Sequence, residues 1–129
     1  PGTGETMPEL EQAAREWAAH FNAGRYFEAH EALEEAWRAA PQPHKTWLKG
    51  MIHAAVALYQ YQRGNDHGAR TKYGSALHYL SGAPDSWLGL DIARLRRELT
   101  AFMAALTALA PGSPVPEPRV PWPRARRKQ

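Results

Sequence analysis

Apolar residues recur every three or four positions along most of the chain and nowhere alternate with polar ones over strand length, which predicts helices and no sheet. A first helix is expected from about Pro8 to Asn22, with Leu10, Ala14, Trp17 and Phe21 on one side and Gly24 as a left-handed stop. A second runs from Tyr26 to about Ala40, where Pro41 ends it. The third spans about Pro43 to Arg63 and shows Leu48, Met51, Ile52, Ala55 and Tyr59 on one face. Asn65 caps a fourth over Asp66 to Leu80, and Asp91 caps a fifth that continues to about Leu109.

Laying residues 24–40 against 64–80 aligns Gly24, Ala29, Leu33, Ala36 and Trp37 with Gly64, Ala69, Tyr73, Ala76 and Leu77. Small residues at 29 and 69 would let the second helix of each pair approach the first closely. The expected fold is all-α: a five-helix bundle of two antiparallel helical hairpins, loosely tetratricopeptide-like, plus a closing C-terminal helix. The organisation read from the sequence is a flexible N-terminus over 1–7, a helical domain over 8–110 and a Pro-rich basic disordered tail over 111–129.

Composition narrows the chemistry. With no cysteine among 129 residues, disulfides, thiolate metal sites and thiol nucleophiles are excluded, and imidazole and carboxylate remain as ligands. No apolar run reaches the roughly 20 residues of a membrane span and no signal peptide is visible, so a soluble, cytoplasmic protein is expected. The formal charge of +3 is unevenly placed: residues 111–129 hold five basic groups against Glu117, which leaves residues 1–110 at −1. That tail also holds six of the eleven prolines. It suits weak, sequence-blind contact with nucleic acid or an acidic partner, or simply a solubilising terminus. A homo-oligomer is compatible with the pattern, and nothing selects a partner.

The informative stretch is FEAHEALEEAWR at 27–38, because His30 and Glu34 share an arc with Phe27, Leu33 and Trp37. Two polar side chains are thereby expected on the core side of the second helix. His at i and Glu at i+4 are neighbours that can hydrogen-bond or jointly hold a cation. Three readings follow. The pair can be structural, satisfied within the bundle by Tyr59, Gln60, Tyr61 or a water. It can be a ligand site made by His30, Glu34, Trp37 and Tyr59, or a divalent-metal site made by His30 and Glu34 with His53 (or His20) as third ligand. The chain can also be a helical interaction module, with Trp47, Tyr79, Trp87 and Trp122 as the candidates for exposed or partner-facing positions. H-E-x-x-E at 30–34 departs from the zinc motif H-E-x-x-H in its last residue, and no nucleophile stands out, so catalysis is left unassigned.

The segment GRYFEAHEALEEAWR, followed by GMIHAAVALYQYQRGN and HGAR, resembles the DUF309 family, marked by an H-x-x-x-E-x-x-W motif that is His30, Glu34 and Trp37 here. The likeness spans about 17–110 and includes Gly64-Asn65 and Gly89-Leu90-Asp91. It implies an all-α domain without an established activity, whose His, Glu and Trp are suspected of functional importance.

Overall fold

A computed structural model describes residues 7–108 and 123–126. The described helices are α1 (Met7–Asn22), α2 (Tyr26–Ala39), α3 (His44–Gln62), α4 (Asp66–Leu80) and α5 (Ile92–Thr107). Each packs on the next in chain order. The all-α bundle expected from periodicity is therefore present. Its boundaries have local causes: the Asn65 carboxamide accepts from the Gly68 N–H at 2.9 Å, and the Asp91 carboxylate accepts from the Arg94 N–H at 3.0 Å.

The two hairpins share one turn. Gly24 and Gly64 adopt φ of +77° and +80°, and the residue after each glycine donates back across the helix end, Arg25 N–H to the His20 carbonyl at 2.9 Å and Asn65 N–H to the Gln60 carbonyl at 2.8 Å. Ala29 and Ala69, aligned in the sequence, are both buried. At the α3/α4 crossing a Cβ on Gly50 would lie 2.7 Å from Cγ of Leu80, so only hydrogen fits at that position. Trp17, Phe21, Leu33, Leu48, Met51, Leu80, Leu95 and Leu99 form the dry centre. Trp17 stacks on Phe21 at 4.6 Å and donates its indole N–H to the Met51 carbonyl at 3.2 Å, so its polar atom is satisfied inside the core.

Two expectations need correction. A small antiparallel ladder pairs β1 (Ser86–Trp87) with β2 (Leu90–Asp91) through a Leu88-Gly89 turn with φ of +54° and +78°. Two residues per strand are too few to alternate visibly. The left-handed φ at Leu88 costs roughly 1–2 kcal/mol, which burial of its side chain offsets. Trp87, expected at the surface, is buried; its ring meets Trp47 edge-on at 5.2 Å. Trp122, given the same expectation, lies outside the described residues.

Of the expected tail, residues 123–126 are described. Residues 123–126 are extended and pack on the body, with Pro123 and Ala125 buried and Arg124 and Arg126 exposed. The remainder of the expected tail, 111–122 and 127–129, the last two residues of the expected helical domain, 109–110, and residues 1–6 of the expected N-terminal segment lie outside the described residues, while Met7 already belongs to α1.

Candidate functional site

The buried stripe of α2 is Tyr26, Ala29, Leu33 and Ala36, continued by Ala40 beyond its end. Small alanines and Tyr26 point inward, and the face is rotated from the one that Phe27 and Trp37 suggested. Phe27 is 44% exposed. His30 and Glu34 consequently sit at the rim of the bundle, their side chains 18% and 41% exposed, and no charged or polar residue is classed as buried among the described ones. The expectation that both head for the core is corrected on this point.

His30 Nδ1 lies 2.7 Å from the Phe27 carbonyl. A carbonyl oxygen only accepts, so the proton of this bond is on Nδ1. In the neutral ring Nε2 then carries a lone pair, and it faces Oε2 of Glu34 at 3.7 Å. Two acceptors confront each other across a gap suited to a shared donor or cation. Arg38 Nη2 reaches the other carboxylate oxygen at 3.8 Å from the exposed side. The Phe27 ring packs edge-on to His30 at 4.9 Å and tilts against Tyr59 at 5.4 Å, bringing Tyr59 of α3 beside the pair. Tyr59 also accepts from Arg63 Nη1 at 3.4 Å, with the guanidinium over its ring at 5.4 Å.

Trp37 is half-buried and packs against the core. Lys45 Nζ lies 4.7 Å over its ring and donates to the Trp37 and Arg38 carbonyls at 2.9 and 3.1 Å, closing the C-terminal end of α2 with a cation.

His53 does not join this group. It faces α4, its ring edge-on to Tyr79 at 5.5 Å, and burial first, then Lys72 and Lys49, push its pKa down to about 4. Its Nδ1 is buried without a hydrogen-bond partner. His20 is engaged elsewhere too, accepting from Arg25 Nε at 3.0 Å. Among the described residues no three His, Asp or Glu side chains converge so as to hold a metal ion, so the expected third ligand is not supplied at His30 and Glu34. Sequence reasoning placed Phe27 in the core and missed it as an exposed wall; the signal was Tyr26 beside it, an equally large residue competing for the buried side. A concavity of about 580 Å³ on the outer side of α5, lined in part by Asp85, Arg96, Arg97 and Thr100, contains none of the expected site residues. Its Arg96 is committed to the Leu80 and Ala83 carbonyls at 3.0 and 3.2 Å and to Asp85 at 2.6 Å, which fastens the α4–α5 connection.

A sequentially packed helical domain with a histidine–carboxylate pair on its second helix is what fold and site together define. Residues 14–71 match the model of the DUF309 family, described as a domain of unknown function. Over 91 residues, 70% of this chain, the sequence is 31% identical to an uncharacterized protein of Aquifex aeolicus, of which that stretch is 26%. Over 84 residues, 62% of this chain, it is 38% identical to the uncharacterized protein YpuF of Bacillus subtilis, covering 48% of it. The chain thus matches about a quarter of one relative and about half of the other. No helix among the described residues is long and apolar enough to cross a membrane.

Proposed function

We propose that the α2 rim binds a small organic cation, with His30 Nε2 and the Glu34 carboxylate as its two acceptors and Phe27 and Tyr59 as aromatic walls. The observation that supports this is the orientation of His30: its Nδ1–H donates to the Phe27 carbonyl, which in the neutral ring leaves the Nε2 lone pair 3.7 Å from a carboxylate oxygen. A primary ammonium or a guanidinium has the donors to bridge both and the charge that an aromatic face attracts. Trp37 serves the site from behind, packing α2 on the core and holding Lys45 over its own ring, away from the pair. A divalent metal at the same two groups is the weaker form of the reading, because protein ligands beyond two are lacking among the described residues.

The test is native mass spectrometry with elemental analysis on protein purified without chelator, followed by titration with spermidine and, separately, zinc chloride. Wild type should bind spermidine at one-to-one stoichiometry and Glu34→Gln should not. Zinc retained stoichiometrically in wild type and lost in the variant would move the assignment to the metal. Equal behaviour of both proteins toward both probes would make the pair purely structural and the domain a helical scaffold. A cytoplasmic location is part of the same proposal, since an apolar core without cysteine asks for no oxidising compartment; cell fractionation tests it.

A further inference from the structure

Residues 123–126 lie in a slot that reads their main chain. The Asn22 carboxamide donates from Nδ2 to the Ala125 carbonyl at 2.8 Å and accepts the Ala125 N–H on Oδ1 at 2.7 Å. It presents the same donor and acceptor that a neighbouring β-strand would. Glu98 on α5 accepts the Arg124 N–H and lies 3.7 Å from the Arg126 guanidinium, while Arg94 braces the same carboxylate at 3.0 Å. The Asp91 N–H, at the outer edge of β2, donates to the Arg126 carbonyl at 2.8 Å, and Arg124 Nη1 donates to the Asn22 carbonyl at 2.6 Å. Side chains alternate: Pro123 and Ala125 are buried, Arg124 and Arg126 exposed.

These contacts select an extended backbone, a proline, a small residue two positions on and arginines between and after. Little in them depends on the segment belonging to the same chain. Main-chain pairing to a sheet edge, with small pockets for alternate side chains, is a general mode of peptide recognition. We propose that the cleft between the end of α1 and the start of α5 is a peptide-docking slot for an extended Pro-Arg-Ala-Arg segment of a partner protein, and that residues 123–126 occupy it as a built-in competitor. A tethered competitor acts at an effective concentration in about the millimolar range, so an outside peptide binds the intact chain weakly and gains access once the strap leaves.

The experiment keeps the full chain and releases the strap. Ala125→Pro removes the N–H that Asn22 accepts, and Ala125→Asp places a charge in the buried position; as neither lies in a helix, circular dichroism should be unchanged. A fluorescein-labelled peptide spanning residues 121–128 is then titrated and followed by anisotropy. Saturable binding should be at least about tenfold tighter to either released variant than to wild type. Adding Asn22→Ala should abolish it, and a scrambled peptide of equal charge should bind at least tenfold more weakly. No saturable binding to either released variant, or binding indifferent to Asn22→Ala or to scrambling, would overturn the proposal and leave the strap as a fixed part of the fold. Reciprocal strap exchange between copies, seen as a wild-type dimer by light scattering that Ala125→Pro dissolves, would also overturn it, because the occupant would then be this chain itself.

Discussion

His30 and Glu34 face each other at 3.7 Å, and with the His30 Nδ1–H donating to the Phe27 carbonyl the neutral ring turns its Nε2 lone pair toward the carboxylate. An ordinary i,i+4 helix pair would close this gap by hydrogen bonding. The arrangement is open on the solvent side, where Phe27 is exposed. A cation bound between the two groups, as proposed above, would fill this gap from the open side.

Since the pair is at the rim, it contributes little to folding. Exposed histidine–carboxylate and arginine–carboxylate pairs are worth a few tenths of a kcal/mol to about 1 kcal/mol. Glu34→Gln should change the unfolding free energy by less than about 0.5 kcal/mol while removing spermidine binding. Urea melts of the two proteins check this. A loss of about 2 kcal/mol or more would indicate that the carboxylate is instead a structural member of the bundle.

His53 makes stability depend on pH. Its pKa in the folded protein, about 4, lies below the ordinary 6.5, so between these values the unfolded chain binds more protons than the native one. The contribution is complete above about pH 6.5 and is lost as pH falls through about 4. With the ring only half-buried, acidification from pH 7 to pH 5 should cost wild type about 1 kcal/mol more than His53→Gln. Equal losses in chemical-denaturation curves at the two pH values would contradict the burial of this imidazole.

Two helical glycines should respond to alanine with opposite signs. At Gly50 the new Cβ would meet Leu80 at 2.7 and 3.1 Å and the Ala76 carbonyl at 3.2 Å, and Leu80 is itself fully buried. Overpacking of this kind costs about 1–3 kcal/mol, more than the roughly 1 kcal/mol of helix propensity gained. At Gly74 nothing lies within 4 Å, so Gly74→Ala should stabilise by about 0.5–1 kcal/mol. Thermal melts of the two single variants give the comparison.

The features that the sequence made legible are those with a local cause. Gly24, Gly64, Pro41, Asn65 and Asp91 each mark a helix end through their own backbone or side-chain chemistry, and all five helices start and stop within two residues of the bounds expected from the sequence. The face of α2 was not legible, because Tyr26 and Phe27 are adjacent aromatic residues of similar size; Phe21 meets Tyr26 edge-on at 5.3 Å and draws it, not Phe27, to the buried side. The strap was hidden by a longer separation. Proline spacing reads locally as a chain that forms no helix or central strand, which is true of residues 123–126, but Asn22, which holds it in place, is about a hundred positions away. The same limit applies to His30 and His53: periodicity puts each on its helix, and only the packing of α3 on α4 turns His53 away from the pair.

The most direct measurement is long-range nitrogen–proton NMR correlation of the His30 imidazole at neutral pH, before and after addition of spermidine. The expected result is the Nδ1–H tautomer in the free protein, with Nε2 unprotonated, and a change in the Nε2 resonance on binding that is absent in Glu34→Gln. An Nε2–H tautomer, or an Nε2 resonance unmoved by saturating spermidine, would contradict it.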